Sequence, residues 1–423
     1  MVAVVASLRR LPRPGSGHMP PRPWWAGATA LTLTAVVGGV LSGWRPADQW
    51  LVWAQILVVG LALSARRREF RLHAIPLHRV LLWAVFGSVV LEEIVRAGRR
   101  LGDWDVLFVS GVLAFVVAVG MVDKLPNRLA AAATRLADRG VLIMNRDARN
   151  RTFLLLQPRA GRWAKAGGPA VSVIILLAWM AIFVSALGIE KVFTHLFSVL
   201  FFPELIFDCV CGWFAGVCIA DMFAAGRSWR SFRQEAIGWR LIPGHPDGAG
   251  GFRPIGNFFF FQCLIAGIPA VYLGVWGLLI PLFRAFRDYA LWFRPYLVLL
   301  AVAIALELLV FILPMWSVHT IMRAEKAKLL SRADGLSIRI DSMHRQLRSG
   351  QRPASNSQQV RDSIAGLEEE YERIEQAPTW PIDRSIRRLF NLSNIALILP
   401  FFGYVFGGKD IWQEVSKVFA GIR

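Results

Sequence analysis

The feature that most constrains the fold is a stretch of chain that changes from apolar to charged and back again. The apolar run Tyr296–Met315 leads directly into a charged segment with heptad spacing that reaches Arg348. After the polar break Ser349–Ser357, a second heptad segment extends to Ile374, and the apolar run Leu389–Phe406 follows. This pattern predicts a helix that leaves a lipid bilayer, folds back on itself in water as a helical hairpin, and returns to the bilayer.

The composition agrees with a membrane protein. Of the 423 residues, 55% are hydrophobic and 18% are charged, and the mean hydropathy of +0.46 is too high for a soluble protein of this size. The net charge of +19 lies mainly in segments beside the apolar runs. Because basic flanking residues bind anionic lipid headgroups, this charge indicates a lipid partner and argues against nucleic acid.

Nine apolar runs could form membrane-spanning helices, of which the second and the fourth are short. We therefore expect an all-α integral membrane protein with about nine transmembrane helices and a cytosolic antiparallel coiled-coil hairpin. The predicted spans are Trp24–Gly43, Trp50–Ser64, Leu77–Val95, Val106–Val122, Ala170–Leu187, Pro203–Phe223, Phe258–Leu282, Tyr296–Met315 and Leu389–Phe406.

The distribution of Lys and Arg predicts the orientation of these spans. Basic residues are concentrated in the segments that lie on the same side as the N-terminus, which the positive-inside rule assigns to the cytosol. With an odd number of spans, the C-terminus then lies outside. The first run is long for a signal peptide, so we expect it to be retained as a membrane span.

The spans divide the chain into six parts. They are a basic N-terminal tail (1–23), four helices (24–122), a basic cytosolic insert (123–169), four further helices that include a cytosolic loop at 225–257 (170–316), the hairpin (317–388), and a last span with an amphipathic C-terminal helix (389–423).

The basic insert has its own predicted structure. Asn127–Asp138 has the spacing of an amphipathic helix, and the short runs Val141–Met144 and Thr152–Gln157 could pair as a β-hairpin. Its basic residues are well placed to bind lipid headgroups.

The hairpin has an apolar seam with heptad spacing. Its first arm is basic and its second arm is acidic, which favours pairing of the two arms with each other over pairing of like arms between subunits. The exposed segment 322–374 could also bind a second copy or another protein. The seam positions are 322, 326, 329, 333, 336, 340, 343 and 347 in the first arm and 360, 364, 367, 371 and 374 in the second, with Lys326 the one charged residue.

A loop rich in glycine and proline precedes the seventh span. It contains His245, Asp247, Gly248, Gly250, Gly251 and Arg253. Two interpretations remain open. Asp247 could cap the backbone of its own turn, or His245 and Asp247 could hold a phosphate or metal together with glycine amides. Two ligands are too few for a dedicated metal site.

This loop carries a resemblance to known proteins. The segment His245-Pro-Asp-Gly-Ala-Gly-Gly251 resembles a His-Pro-Asp-Gly-x-Gly-Gly element of poorly characterised prokaryotic polytopic membrane proteins. In those proteins a helical hairpin and a Pro-Trp-Pro-like step precede the last span, as Pro378-Thr-Trp-Pro381 does here. The resemblance implies an architecture and no particular chemistry.

Glu307 is the clearest candidate for a functional residue, because it lies near the middle of the span Tyr296–Met315. Inserting a lone carboxylate at that depth costs ~2.5–3.5 kcal/mol. We expect Glu307 to be protonated, paired or exposed to water. It could be a cation or proton site, or a packing carboxylate that bonds to a neighbouring helix.

Glu204 and Asp208 form a second candidate, one helical turn apart on the sixth span together with Cys211. They could line an ion path. If the helix begins at Pro203, however, Glu204 lies in the first turn, where it would only interact favourably with the helix dipole.

Three classes of function follow from these residues. A channel or transporter would use Glu307, Glu204 and Asp208 as its ion or proton path. A sensor or scaffold would recruit a partner through the hairpin. A membrane enzyme would use the loop at 245–256. The sequence contains no nucleotide-binding, hydrolase or metalloprotease motif and no Cys-x-x-Cys pair, so we predict no cofactor and no metal.

Overall fold

The computed structural model describes residues 46–72, 75–97, 105–143, 162–187, 201–235, 238–279, 293–349 and 354–382, together with Arg388. This part of the chain is mainly helical. Its helices are α1 (Pro46–Arg68), α2 (Leu77–Ala97), α3 (Val106–Val122), α4 (Leu125–Asp138), α5 (Arg162–Leu187), α6 (Phe201–Glu235), α7 (Arg253–Leu279), α8 (Phe293–Arg348) and α9 (Ala354–Glu375). Its strands are β1 (Arg71–Leu72), β2 (Ile75–Pro76), β3 (Leu142–Ile143) and β4 (Gly238–Trp239).

Seven of the nine predicted spans coincide with helices α1, α2, α3, α5, α6, α7 and α8. In four cases the helical stretch is long and apolar enough to cross a membrane: Val106–Asp138, Leu205–Ala224, Arg253–Gly274 and Val298–Arg348. Shorter apolar stretches occur at Val52–Arg66 and Ala166–Ala178. The predicted spans Trp24–Gly43 and Leu389–Phe406 lie outside the described residues, so the number nine stays a prediction.

Helices α5 and α6 pack very closely because glycines form their interface. A Cβ atom on Gly216 would lie 2.1 Å from the carbonyl oxygen of Gly167, and one on Gly212 would lie 2.3 Å from Cδ1 of Ile175. The hydroxyl of Ser172 donates to the carbonyl of Cys209 at 2.7 Å. The Gly-x-x-x-Gly spacing on α6 thus allows the two backbones to approach as they do in membrane helix pairs.

A single apolar core joins most of the helices. It includes Ile56 of α1, Leu82 of α2, Val116 of α3, Phe214 of α6 and Phe259 of α7. Large apolar side chains are exposed on the opposite faces of several helices. Leu177, Val298 and Leu313 expose more than 60% of their surface. An apolar surface of this kind is compatible with contact to lipid.

The short strands join segments that are distant in sequence. Strand β3 lies within the predicted run Val141–Met144, but it pairs antiparallel with β4, so that Leu142 lies opposite Trp239. The prediction of a partner strand at Thr152–Gln157 falls outside the described residues. The observed pairing ties the insert to the loop before α7. Three residues separate β3 from the end of α4, and α4 packs on α7.

Basic residues of the insert also contact other parts of the protein. The guanidinium of Arg128 lies 3.8 Å from the ring centroid of Phe261 on α7, within cation–π distance. Arg139, just after α4, bonds to Asp247. At least two basic residues of the insert therefore bind groups of the protein itself and are not left to lipid headgroups alone.

Helix α8 is continuous from its apolar part into the hairpin. Its 56 residues correspond to about 84 Å at 1.5 Å per residue, and Pro314 lies inside it. Helix α9 packs against its second half. Each of the thirteen predicted seam positions is buried or half-buried, with Met322, Ala333, Val360, Ile364 and Ile374 buried.

Candidate functional site

Glu307 lies in the contact between α8 and α7 and is only 3% exposed. Its Oε1 atom accepts from the thiol of Cys263 at 3.4 Å, and its Oε2 atom has no hydrogen-bond partner among the described residues. A Cβ atom on Gly267 would lie 3.0 Å from the carboxyl group. The absence of a side chain at Gly267 therefore makes room for the carboxyl, while a thiol is its only described donor.

The second predicted pair lies near the start of α6. That helix begins at Phe201 and not at Pro203, so Pro203 falls within the first turn, where proline is still tolerated. Asp208 is half-buried, and the side chain of Glu204 lies outside the described residues. The hydrogen-bond partner of Glu307 is Cys263, so the described contacts do not join Glu307 to this pair.

A buried cluster of charged side chains, here called the Asp123 cluster, connects four helices. It consists of Arg66, His78, Arg79, Asp123 and Asp221. The Asp123 carboxylate accepts from Arg66 Nε at 3.1 Å and from Arg79 Nε at 3.0 Å, and its Oδ2 lies 2.5 Å from His78 Nε2. Arg66 Nη2 also donates to Asp221 at 2.8 Å. Both carboxylates and the Arg66 guanidinium are less than 10% exposed.

The arginines and aspartates of the Asp123 cluster balance each other in number, so neither buried carboxylate lacks a cationic partner. The donor and acceptor roles of the His78 ring nitrogens depend on its tautomer. Its Nδ1 atom is buried and has no hydrogen-bond partner in the described part of the chain.

The Asp123 cluster was not predicted from the sequence. One of its members carried a signal, because Asp221 lies within the predicted span Pro203–Phe223. That signal is weaker than the one at Glu307, because Asp221 lies only two residues from the end of its span. Arg66 and Asp123 lie just beyond predicted span ends, and His78 is the second residue of the span Leu77–Val95. Polar residues are common at such positions, so nothing local in the sequence indicates that these residues meet.

The loop before α7 is organised by Asp247. Its Oδ1 atom accepts from the backbone N–H groups of Ala249 and Gly251, both at 3.0 Å. Its Oδ2 atom accepts from Arg139 Nη1 at 2.6 Å. Burial opposes ionisation of this carboxyl, but the two backbone donors and His245 outweigh burial and hold the pKa of Asp247 below its ordinary value of 3.8.

The other loop residues support this turn. Nδ1 of His245 lies 2.9 Å from Oδ1 of Asp247 and 3.2 Å from its backbone nitrogen, so its role depends on the tautomer. Gly250 and Gly251 have φ values of +60° and +89°. Gly248 is exposed, and Arg253 is the first residue of α7. The carboxylate and two amides that could have bound a phosphate or metal are engaged within the loop.

The loop before α7 and the segment Pro378–Pro381 lie against each other. A Cβ atom on Gly250 would lie 3.6 Å from Cγ of Pro378, and one on Gly256 would lie 1.9 Å from the carbonyl oxygen of Pro381. The segment between these prolines also binds α8. His319 Nδ1 donates to the carbonyl of Thr379 at 2.7 Å, and its ring stacks on Trp380 with centroids 4.3 Å apart.

Comparison of the chain with models of known protein families, with curated proteins and with solved structures finds no match. The function therefore has to be argued from the geometry alone.

Proposed function

We propose that this protein is a membrane transport protein in which Glu307 is the protonatable site on a proton or cation path. The observation that carries this proposal is the environment of its carboxyl group. It is buried at 3% exposure on an apolar helix, with a thiol donor at one oxygen and no described partner at the other.

In such an environment the free energy of the site depends strongly on whether the Glu307 carboxyl group is charged or neutral. A carboxylate without strong donors costs much more to bury than a neutral carboxylic acid, so uptake of a proton or a cation stabilises the site. A purely structural role explains Glu307 less well. An apolar side chain would hold α7 and α8 together more stably, because a buried polar group without its full set of hydrogen-bond partners destabilises the packing.

The neighbouring contacts suggest how this site is connected to the rest of the bundle. On α7, Cys263 bonds to Glu307, and the preceding residue Gln262 donates to the carbonyl of Met222 on α6 at 3.0 Å. Met222 directly follows Asp221 of the Asp123 cluster. In this proposal α7 lies between the protonatable carboxyl and the charged cluster, and the cluster holds the helix ends in place during transport.

The membrane arrangement belongs to the same proposal. We infer nine spans in the cytoplasmic membrane of a prokaryote, with the N-terminus inside and the C-terminus outside. The two arms α8 and α9 then form an antiparallel coiled coil in the cytosol, and Glu204 and Asp208 lie near the outer end of the path. Anionic lipid headgroups bind the basic inner segments.

Proton flux in reconstituted liposomes tests the role of Glu307. A potassium diffusion potential would drive protons into liposomes loaded with a pH-sensitive dye. We expect flux above that of empty liposomes for the wild type and at least a tenfold decrease for Glu307→Gln. Glu325→Gln changes the same residue type on the same helix, but in the hairpin, and should retain flux.

A folding defect has to be separated from loss of the protonatable group. Glu307→Asp keeps a carboxyl group in a smaller side chain, so it should retain part of the flux that Glu307→Gln loses. Size-exclusion profiles in detergent would establish that all variants are folded. Flux of Glu307→Gln equal to that of the wild type, or no flux from the wild type itself, would refute the proposal.

A second candidate function is a membrane-anchored scaffold, which the firm attachment of the hairpin favours. Lys326 and His319 both bond to the backbone that follows α9, at Ala377 and Thr379. A hairpin held in this way could present a binding surface to a soluble partner. Replacing residues 331–374 with a short Gly-Ser linker should leave proton flux intact if Glu307 acts as proposed. A scaffold would lose its partner and show no flux with or without the hairpin.

A further inference from the structure

The base of the hairpin forms one wall of a groove, here called the hairpin-base groove. The other wall is the segment from Trp239 to Pro243, which begins with strand β4. The groove has a volume of about 700 Å³, within the range of ≈ 300–1,000 Å³ that is typical of small-molecule sites. Apolar side chains line the groove from strand β4 and from both helices of the hairpin. Among them are Trp239 on β4, Leu329 on α8 and Ile374 on α9.

The charged residues of the groove are only partly paired with each other. Lys328 donates to Glu325 at 2.6 Å, and Arg373 forms an ion pair with Glu369. These two pairs use four of the seven charged side chains that line the groove. The remaining three are Arg240, Arg332 and Glu370.

Arg240 and Arg332 face the groove from different elements. Arg240 directly follows β4, and Arg332 lies on α8. Neither forms an ion pair within the described part of the chain. Because Glu370 offsets only one of them, the groove has a net charge of +1. A concave surface with excess positive charge attracts anions, and guanidinium groups bind carboxylate and phosphate through paired hydrogen bonds.

We propose that the hairpin-base groove is a binding site for a soluble organic anion that carries one phosphate or carboxylate group on a small apolar body. Arg240 and Arg332 bind the anionic group, and the apolar residues Trp239, Leu329 and Ile374 contact the remainder of the ligand. The site is independent of Glu307, so it stands or fails separately from the transport proposal.

Titration calorimetry with hexyl phosphate tests this site. The full-length protein would be held in nanodiscs of phosphatidylcholine, and empty nanodiscs would give the background. We expect hexyl phosphate to bind more tightly than either inorganic phosphate or 1-hexanol, because each of these offers only half of the required contacts. Equal binding of all three probes, or heat no greater than that of empty nanodiscs, would overturn the proposal.

Variants assign the binding to these residues. The double variant Arg240→Gln/Arg332→Gln should bind hexyl phosphate at least tenfold more weakly, whereas Arg339→Gln, an exposed change on α8 outside the groove, should leave the affinity unchanged. Glu370→Gln removes the unpaired carboxylate and should increase the affinity, a gain that a purely structural role would not produce. Unchanged affinity in the double variant would overturn the assignment, as would competition by phosphatidate added to the nanodiscs, which would indicate a lipid headgroup.

Discussion

The ammonium group of Lys326 lies 2.6 Å from the carbonyl oxygen of Glu375 and donates a hydrogen bond to it. A second bond at 2.9 Å goes to the carbonyl of Ala377. Glu375 is the last residue of α9, where backbone carbonyls have no partner within the helix. The one charged residue of the apolar seam therefore caps the opposite arm of the hairpin.

Replacing this lysine tests its capping role. An apolar residue in an apolar seam would ordinarily stabilise a helical pair. Here Lys326→Met leaves carbonyl groups at the end of α9 without their donor, so we expect a loss of about 1 kcal/mol in the free energy of unfolding. Thermal unfolding in detergent measures it. Lys328→Met, an exposed change two residues away, should have little effect; a more stable Lys326→Met variant would contradict the capping role.

Gly250 tests how tightly the loop is packed. Alanine at this position faces both a left-handed φ of +60° and a Cβ position only 2.3 Å from Cδ1 of Leu241. Gly140 also has a left-handed φ, +67°, but a Cβ atom there would meet nothing within 4 Å. We expect Gly140→Ala to lose about 1 kcal/mol and Gly250→Ala distinctly more, in the same thermal unfolding assay. Equal losses would show that the loop adapts without cost.

Asp247 should make the stability of the protein depend on pH in the acid range. The folded protein holds the pKa of this carboxyl below its ordinary value of 3.8. Its contribution to stability is therefore fully present above pH 3.8 and is lost as the pH falls through the lower pKa of the folded state. Melting temperatures between pH 7 and pH 3 should decrease less for Asp247→Asn than for the wild type. Parallel curves would contradict this account.

Asp221 should be among the residues most sensitive to substitution. Asparagine at this position leaves the buried guanidinium of Arg66 with one carboxylate in place of two. Removing one partner of a buried ion pair typically costs ~3–5 kcal/mol. We expect a large decrease in melting temperature for Asp221→Asn and almost none for Asp334→Asn, which is exposed on α8. A small change at Asp221 would mean that Asp123 alone balances Arg66.

Several elements could be predicted because their signals are local. Helix α3 has the predicted bounds Val106–Val122. They could be predicted because the apolar run is flanked by an aspartate at each end, Asp105 and Asp123. The seam positions could be predicted because a heptad pattern repeats along each arm; they are buried or half-buried where α9 packs on α8, while the coiled coil itself stays a prediction. The place of Glu307 within an apolar run was also visible, but the sequence left open whether the residue is protonated, paired or exposed to water; the structure has it 3% exposed.

Other features depended on residues that are far apart in the chain. Arg66 and Asp221 are separated by 155 positions, and β3 pairs with β4, a strand almost 100 residues further along the chain. The short strands contain only two residues each, too few to give a periodic pattern. Capping of its own turn by Asp247 was one of the two interpretations that the sequence left open, but the bond from Arg139 to Asp247 could not be inferred.

Periodicity and hydropathy are properties of neighbouring residues, so they were enough to predict the apolar helices and the charged helical segments that follow Met315. Which charges meet in the Asp123 cluster and which groups surround Glu307 could be read only from the folded chain. Those contacts depend on how separate helices pack, and a carboxylate in an apolar run can contact any of several neighbouring helices without a change in the local sequence pattern.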